Sequence, residues 1–292
     1  MFKLIATCLF ALLSFNLSAQ NKVQDEMGEF SIQTTPKRIV VLEFSFVDAL
    51  ASLGVSPVGV ADDGDANRVI PAIKSKISPW TSVGGRSTPN LEIISSLKPD
   101  MIIADMERHA TIYEDLKKIA PTLILKSRGE SYKDNLAAVA KIGIVLDQDV
   151  KMQQLIAEHN QRMDAFAKKI NSDKKFLFAV SSTRGVTMHS PKAYAGGVME
   201  RLGLRSAIPE ETEKAYVRTT LERLVKANPD YLLVGEYGDQ TAVDDFKKSP
   251  LWNMISSVKN KTYLETNPKL WSLNRGMIAA EIMAQELESV IK

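Results

Sequence analysis

Between Asp149 and Ile170 the sequence reads DVKMQQLIAEHNQRMDAFAKKI, with no Pro and no Gly. Its apolar residues Met152, Leu155, Ile156, Met163, Phe166 and Ile170 recur at offsets of three, four and seven, which draws one stripe along an α-helix. At the α-helical rise the segment reaches roughly 33 Å, about the width of a small domain. A rod of that length at mid-chain either covers the surface of one domain or joins two lobes. The flanking sequence favours the second. Pro89–Ala104 (PNLEIISSLKPDMIIA) and Thr219–Val234 (TTLERLVKANPDYLLV) share one plan, with Leu91-Glu92 and Leu221-Glu222 at the start and Pro99-Asp100 and Pro229-Asp230 at the same spacing. Each copy predicts a polar N-terminal residue, a short amphipathic helix, a Pro-Asp turn and an apolar strand. Copies on either side of the long helix predict two lobes of like construction.

A length of 292 residues suits about two domains, and 45% apolar with 25% charged side chains is enough for real cores. The N-terminus predicts a secretory signal peptide: Lys3, then the apolar run Leu4–Phe15, then Leu17-Ser18-Ala19 with cleavage near Ala19. That run is short for a membrane span. Cys8, the single cysteine, lies inside it, and Ile5-Ala6-Thr7-Cys8 is a poor lipoprotein box. The mature chain is then expected to be periplasmic and without thiols, which excludes disulfides, iron–sulfur clusters and cysteine nucleophiles. Of 37 basic and 35 acidic residues only Lys3 falls in the leader, so the mature chain is almost neutral. With no polybasic run, nucleic acid is not an expected partner.

Val23–Ile32 reads as a hairpin around Met27-Gly28. Strands are predicted at Arg38–Leu42, Pro57–Val60, Met101–Ala104 and Thr122–Leu125, with helices at Phe46–Leu53, closed by Gly54, and Ala110–Ile119. After the long helix come strands at Lys175–Val180, Tyr231–Val234 and Thr262–Leu264 and helices at Ala195–Leu202 and Arg275–Ile291. The alternation predicts an α/β fold of two Rossmann-like lobes, 20–146 and 171–292, joined by one long helix within 147–170. Without a Gly/Ser tether the lobes should hinge only a little.

No Gly-x-Ser-x-Gly elbow, His-Glu-x-x-His, Walker loop or Gly-x-Gly-x-x-Gly occurs. Asp62-Asp63-Gly64-Asp65 lacks the spacing of a calcium loop and reads as a polar turn. His109, His159 and His189 would all have to converge to make a metal site, so neither a resident metal nor a cofactor is expected. The recurring feature is arginine just beyond predicted strand ends: Arg86, Arg108, Arg128 and Arg184, with Arg275 in Trp271-Ser272-Leu273-Asn274-Arg275-Gly276. Ligands of open α/β sheets bind outside the carboxyl ends of the strands. Guanidinium forks match carboxylates and stay charged. The five arginines therefore predict a cleft for a multiply charged anion. Tyr132 and Trp271 are candidate apolar walls, or else core. Glu92 and Glu222, at the starts of the two short helices, either complement helix dipoles or present one carboxylate per lobe to basic pockets on a partner.

The signal peptide, Pro36-x-Arg38-Ile39-Val40-Val41-Leu42, the two Leu-Glu…Pro-Asp units and the mid-chain helix together resemble the periplasmic siderophore- and vitamin-B12-binding proteins of ABC importers. The resemblance covers essentially the whole mature chain. Through VQDEMGEFSI, TPKRIVVLEFSFVDAL, VSPVGVADDGDA, LKPDMIIADMERHA, IAPTLILKSRGESY, SPLW and RGMIAAE it is nearest the ferric-citrate-binding members. It implies two lobes bridged by a helix, a ligand cleft between them and a monomeric binding protein rather than an enzyme. Glu92 and Glu222 match the pair that docks on arginines of a dimeric permease. Fe(III)-citrate is the implied ligand, with iron held by citrate oxygens and the outer carboxylates by arginine. Ser181–Arg218 resembles the citrate proteins less, leaving another ferric siderophore, cobalamin or haem as alternatives. An exported enzyme on the same fold is the competing class and would need a nucleophile and base that the sequence lacks.

Overall fold

The computed structural model describes residues 21–209 and 212–291. The expected leader, its cleavage near Ala19 and Cys8 lie outside the described residues. The first sheet has five parallel strands in the order Thr81–Ser82, Gly59–Val60, Ile39–Val41, Met101–Asp105, Thr122–Leu125. Ile39–Val41, Met101–Asp105 and the edge strand Thr122–Leu125 are buried along their whole length, as a parallel sheet covered by helices on both faces requires. The hairpin Asn21–Asp25/Gly28–Ile32 is a separate two-stranded antiparallel sheet, tied to the edge strand Thr122–Leu125 where Glu26 N donates to Ile124 O at 3.1 Å.

In the second sheet Lys175–Ser182 pairs in parallel with Tyr231–Tyr237, which pairs in parallel with Tyr263–Thr266. On its other side the chain turns back antiparallel through Gly185–His189 and then Tyr216–Thr219. These last two strands were not foreseen. GVTMH and YVRT are short and mix polar with apolar residues, so neither gives a clear period-two signal.

The repeated units have the same local construction. Asn90 Oδ1 accepts from Ile93 N at 3.0 Å, and Thr220 Oγ1 accepts from Arg223 N at 3.5 Å, capping the two short helices. Asp100 N donates to Arg38 O at 2.9 Å, and Asp230 N donates to Lys175 O at 2.8 Å. The Asp100 carboxylate also accepts from Lys37 N and Arg38 N, and that of Asp230 from Lys175 N, all at 2.8 Å. In each lobe the Pro-Asp turn thus pins the start of the neighbouring strand.

The long helix spans Asp149–Ile170, as expected, and buries Met152, His159, Met163 and Ile170. It packs on the helices Tyr132–Val145 and Met277–Val290 rather than standing free. The first of these was not anticipated; it begins with a capping box made by Ser131 and Asp134. The C-terminal helix reaches back to the first lobe, where the buried Asp48 carboxylate accepts from Ile278 N at 3.2 Å and Ala279 N at 3.1 Å. One contiguous apolar cluster includes Ile39, Phe44, Met152, Phe178, Trp271 and Met283, so both sheets and the long helix share a core.

Gly143 sets how closely the spine helix approaches its neighbour: a Cβ there would lie 2.5 Å from Met152 Cβ. Ala gains about 1 kcal/mol over Gly in helix propensity, but the overlap forces the two helices apart. Gly143→Ala is therefore expected to lower stability by about 1–3 kcal/mol. The check is a urea midpoint that falls at unchanged m-value.

Candidate functional site

The carboxyl ends of the first sheet's strands deliver a set of charged side chains to one place. Glu43 follows Ile39–Val41 and sits at the N-cap of helix Phe44–Leu53, yet makes no side-chain cap, so its carboxylate is available elsewhere. Arg86 follows Thr81–Ser82 through Gly84, whose φ of 92° only glycine adopts readily. Arg108 lies in a single helical turn after Met101–Asp105. Arg128 lies beyond Thr122–Leu125. Asp105 fixes both of these loops, accepting from Arg108 N at 3.1 Å, Ser127 N at 2.8 Å and Arg128 N at 3.0 Å. From the other half of the chain, Arg275 arrives just before the C-terminal helix.

Arg86, Arg108, Arg128 and Arg275 line one cleft of about 340 Å³, whose remaining walls include Thr187, His189, Tyr216 and Ser272. Glu43 is fully buried beneath it, with Oε2 at 3.0 Å from Arg275 Nη2 and 3.5 Å from Arg86 Nη1, and Oε1 against Arg108 Nε. Arg86 also pairs with Asp63 at 2.9 Å and lies over the Phe44 ring. Arg108 Nη1 donates to Ser87 Oγ at 2.7 Å. Arg275 reaches Ser127 Oγ at 2.9 Å and Glu130 Oε1 at 3.3 Å. Burial alone would lower the Arg275 pKa; the surrounding anions, Glu43 foremost, reverse this and raise it. Burial pushes the Glu130 carboxyl well up, with Arg275 only partly opposing. Arg128 is the most exposed of the four and pairs with Glu107 at 2.9 Å.

Three expectations are corrected. Arg184 is exposed in the tight turn between Lys175–Ser182 and Gly185–His189, where its carbonyl accepts from Arg218 at 2.6 Å, and it does not line the cleft. Trp271 is fully buried on Phe178 and donates Nε1–H to Glu286 at 2.6 Å; it is core, while its neighbours Ser272 and Leu273 reach the cleft. Tyr132 is also buried, its hydroxyl 2.6 Å from His159 Nε2, and it lines a different cavity of about 680 Å³ with Lys133, Asn160, Pro191 and Arg201. That cavity is larger, but it contains none of the five arginines. Chemistry therefore outweighs size, and the arginine cleft is the candidate site. Both rings follow the same rule: a large apolar body is buried once its one polar atom finds a partner.

Glu43, Thr187 and Tyr216 were not singled out from the sequence, and His189 was weighed there only as one of three histidines for a metal site. Glu43 left one signal, a charge inside VVLEFSFV, since a carboxylate in a buried run requires cationic partners. Glu92 and Glu222 are exposed on the first turns of their helices and lie outside the cleft; the Thr220 hydroxyl holds Glu222 below the usual carboxylate range. Among the described residues no three His, Cys, Asp or Glu side chains gather as a metal-holding group, and no helix is long and apolar enough to cross a membrane.

The sequence profile of the periplasmic binding proteins matches residues 39–270. The chain belongs to the periplasmic binding protein family. It is 40% identical to the Fe(3+) dicitrate-binding periplasmic protein FecB of Escherichia coli over 90% of this chain and 88% of that one. It is 38% identical to the Fe(3+)-citrate-binding protein YfmC of Bacillus subtilis over 91% and 84% of the two chains. The solved structure of Staphylococcus aureus SirA complexed with staphyloferrin B superposes with a TM-score of 0.81 at 24% identity, over 92% of this chain and 97% of that one. This likeness carries the fold. The two-lobe α/β architecture expected from the sequence is that of this family.

Within the binding-protein frame His189 is a neutral wall, its ring edge-on to Phe178 and Tyr216. Burial, with the Arg275 charge adding to it, pushes its pKa from 6.5 down to about 3. As the pH falls below 6.5, the unfolded chain takes up a proton that folded His189 refuses. Stability present above that pH is thus lost on acidification, by about 2 kcal/mol at pH 5. His189→Phe removes this contribution, so the stability gap between variant and wild type should shift in the variant's favour by that amount from pH 7 to pH 5 in urea titrations.

Proposed function

We propose that the protein is the binding component of an ABC importer and captures an anionic ferric chelate, foremost ferric citrate, in the arginine cleft. The observation that carries this reading is the convergence of Arg86, Arg108, Arg128 and Arg275, from both halves of the chain, on one cleft. Citrate oxygens fill the coordination sphere of the ferric cargo, and guanidinium donors hold the outer carboxylates. The names of FecB and YfmC support the same ligand class. On this reading the mature chain is a periplasmic monomer, exported by the leader that ends near Ala19. Its lobes are 20–146 and 171–292, and it needs no resident cofactor and performs no catalysis. Glu92 and Glu222, one exposed carboxylate per lobe, dock on a dimeric permease.

Two outcomes test this. Ferric citrate should raise Tm and bind more weakly as salt increases, because the cleft is open to screening over about 8–10 Å. Arg128→Ala, the least buried of the four, should weaken binding roughly 10-fold while leaving the ligand-free Tm unchanged. Equal affinity for neutral hydroxamate complexes, or salt-independent binding, would remove the basis for an anion site.

Glu92→Ala and Glu222→Ala should leave ferric-citrate affinity intact in the isolated protein yet reduce uptake through the transporter, the double variant most. Normal uptake by the double variant at limiting ferric citrate would rule out the docking role.

A further inference from the structure

We propose that Glu43 is the positioning residue of the cleft: one buried carboxylate holds the guanidinium groups of Arg86, Arg108 and Arg275 in a fixed arc, and that geometry, rather than surplus positive charge, selects the anion. The inference rests on the proposed anion-binding role of these arginines. Its first support is placement. The strand-to-helix junction sets Glu43 at the centre of the three arginines, two from the first sheet's strand ends and one from the other half of the chain. Oε2 meets Arg275 Nη2 at 3.0 Å and Arg86 Nη1 at 3.5 Å, while Oε1 meets Arg108 Nε, and the carboxylate has no exposed surface.

The second support is charge. Arg86 also faces Asp63, Arg275 also faces Glu130, and Arg128 faces Glu107. Glu43, Asp63 and Glu107 therefore offset much of the charge of the four arginines. Glu130, pushed up by burial, and Asp63, shared with Arg68, offset it only in part, so the net field is far smaller than four free cations would give. What remains is donors. Each guanidinium has five N–H groups, more than its protein partners accept, so the surplus N–H groups are available to an incoming carboxylate. A long side chain held by a buried partner also loses less freedom on binding than a free one, which is the advantage of a pre-organised site.

The field and positioning accounts differ in sign. If net charge set affinity, Glu43→Gln would tighten anion binding by removing a negative charge, and Glu43→Asp would leave it unchanged. If position sets affinity, both weaken it: Gln loses the charge that gathers the arginines, and Asp keeps the charge but retracts it by one methylene. We expect at least a 10-fold higher Kd for ferric citrate in each variant, measured by calorimetry against wild type at one ionic strength. A ligand-free readout accompanies this. Guanidinium N–H resonances of Arg108 and Arg275 should resist exchange with water in the wild type and lose that protection in either variant, while those of Arg128, which does not touch Glu43, should be unchanged.

Unchanged or tighter binding in Glu43→Asp would overturn the proposal. So would rapidly exchanging Arg108 and Arg275 N–H groups in the wild type, a measurement that needs no variant to fold. If wild type binds no ferric citrate, the ligand assignment fails, whereas the ligand-free resonances still report on Glu43.

Discussion

The cleft exists because a short stretch near the C-terminus is tied across to the first lobe. Lys269 Nζ donates to Asn67 O at 3.1 Å, and the Asn274 amide donates to Arg68 O at 2.8 Å and accepts from Ile70 N at 3.3 Å. Arg275 follows with Glu43, Ser127 and Glu130, and the helix start at Ile278 and Ala279 closes on Asp48. Without this seam Arg275 would not meet the three arginines of the first sheet. Gly276 belongs to it sterically: its φ is 150°, and a Cβ there would fall 2.2 Å from Asp48 Cγ. Burial pushes Asp48 up to about 7, with the Ile278 and Ala279 N–H groups opposing. The seam therefore holds a costly carboxyl that only the helix N-terminus makes tolerable.

If the arginine cleft is the binding site proposed above, electrostatic pairing and recognition are superposed in the same side chains. Arg86, Arg108 and Arg275 stabilise Glu43 beneath the cleft while presenting donors into it. A buried carboxylate stripped of its cations is strongly destabilising, so these arginines serve structure, and on the proposed reading they serve binding as well. Arg128, exposed and paired with Glu107, is the least buried of the four and so the freest to move. His189, kept uncharged by burial, adds a wall without adding to the field.

Much of the framework was legible in the sequence. The long helix has a continuous stripe, and the two Leu-Glu…Pro-Asp units perform a local task, capping a helix and pinning a strand, that fixes residues at set spacing. Arginines at the ends of parallel strands were readable for the same reason. Arg184 misled because its strand runs on to Ser182 and then enters a hairpin, which carries the side chain away from the other four. Trp271 and Tyr132 misled because a ring looks alike in core and cleft until its polar atom's partner is known, here Glu286 and His159. Glu43 was missed because its role depends on three residues 43, 65 and 232 positions away.

The return of the C-terminal helix to the first lobe also bears on how the chain folds. Asp48 receives backbone donors from the start of the C-terminal helix, Ile278 and Ala279 among them, some 230 residues later. Until they arrive, helix Phe44–Leu53 would have to bury a carboxylate with those two donors absent. Contacts of such sequence separation form slowly, because closing the loop costs entropy before the contact repays it. The first lobe is thus held short of completion while the rest of the chain is still to come. Its arginine cleft is complete only once Arg275 has joined Glu43 and the arginines of the first sheet.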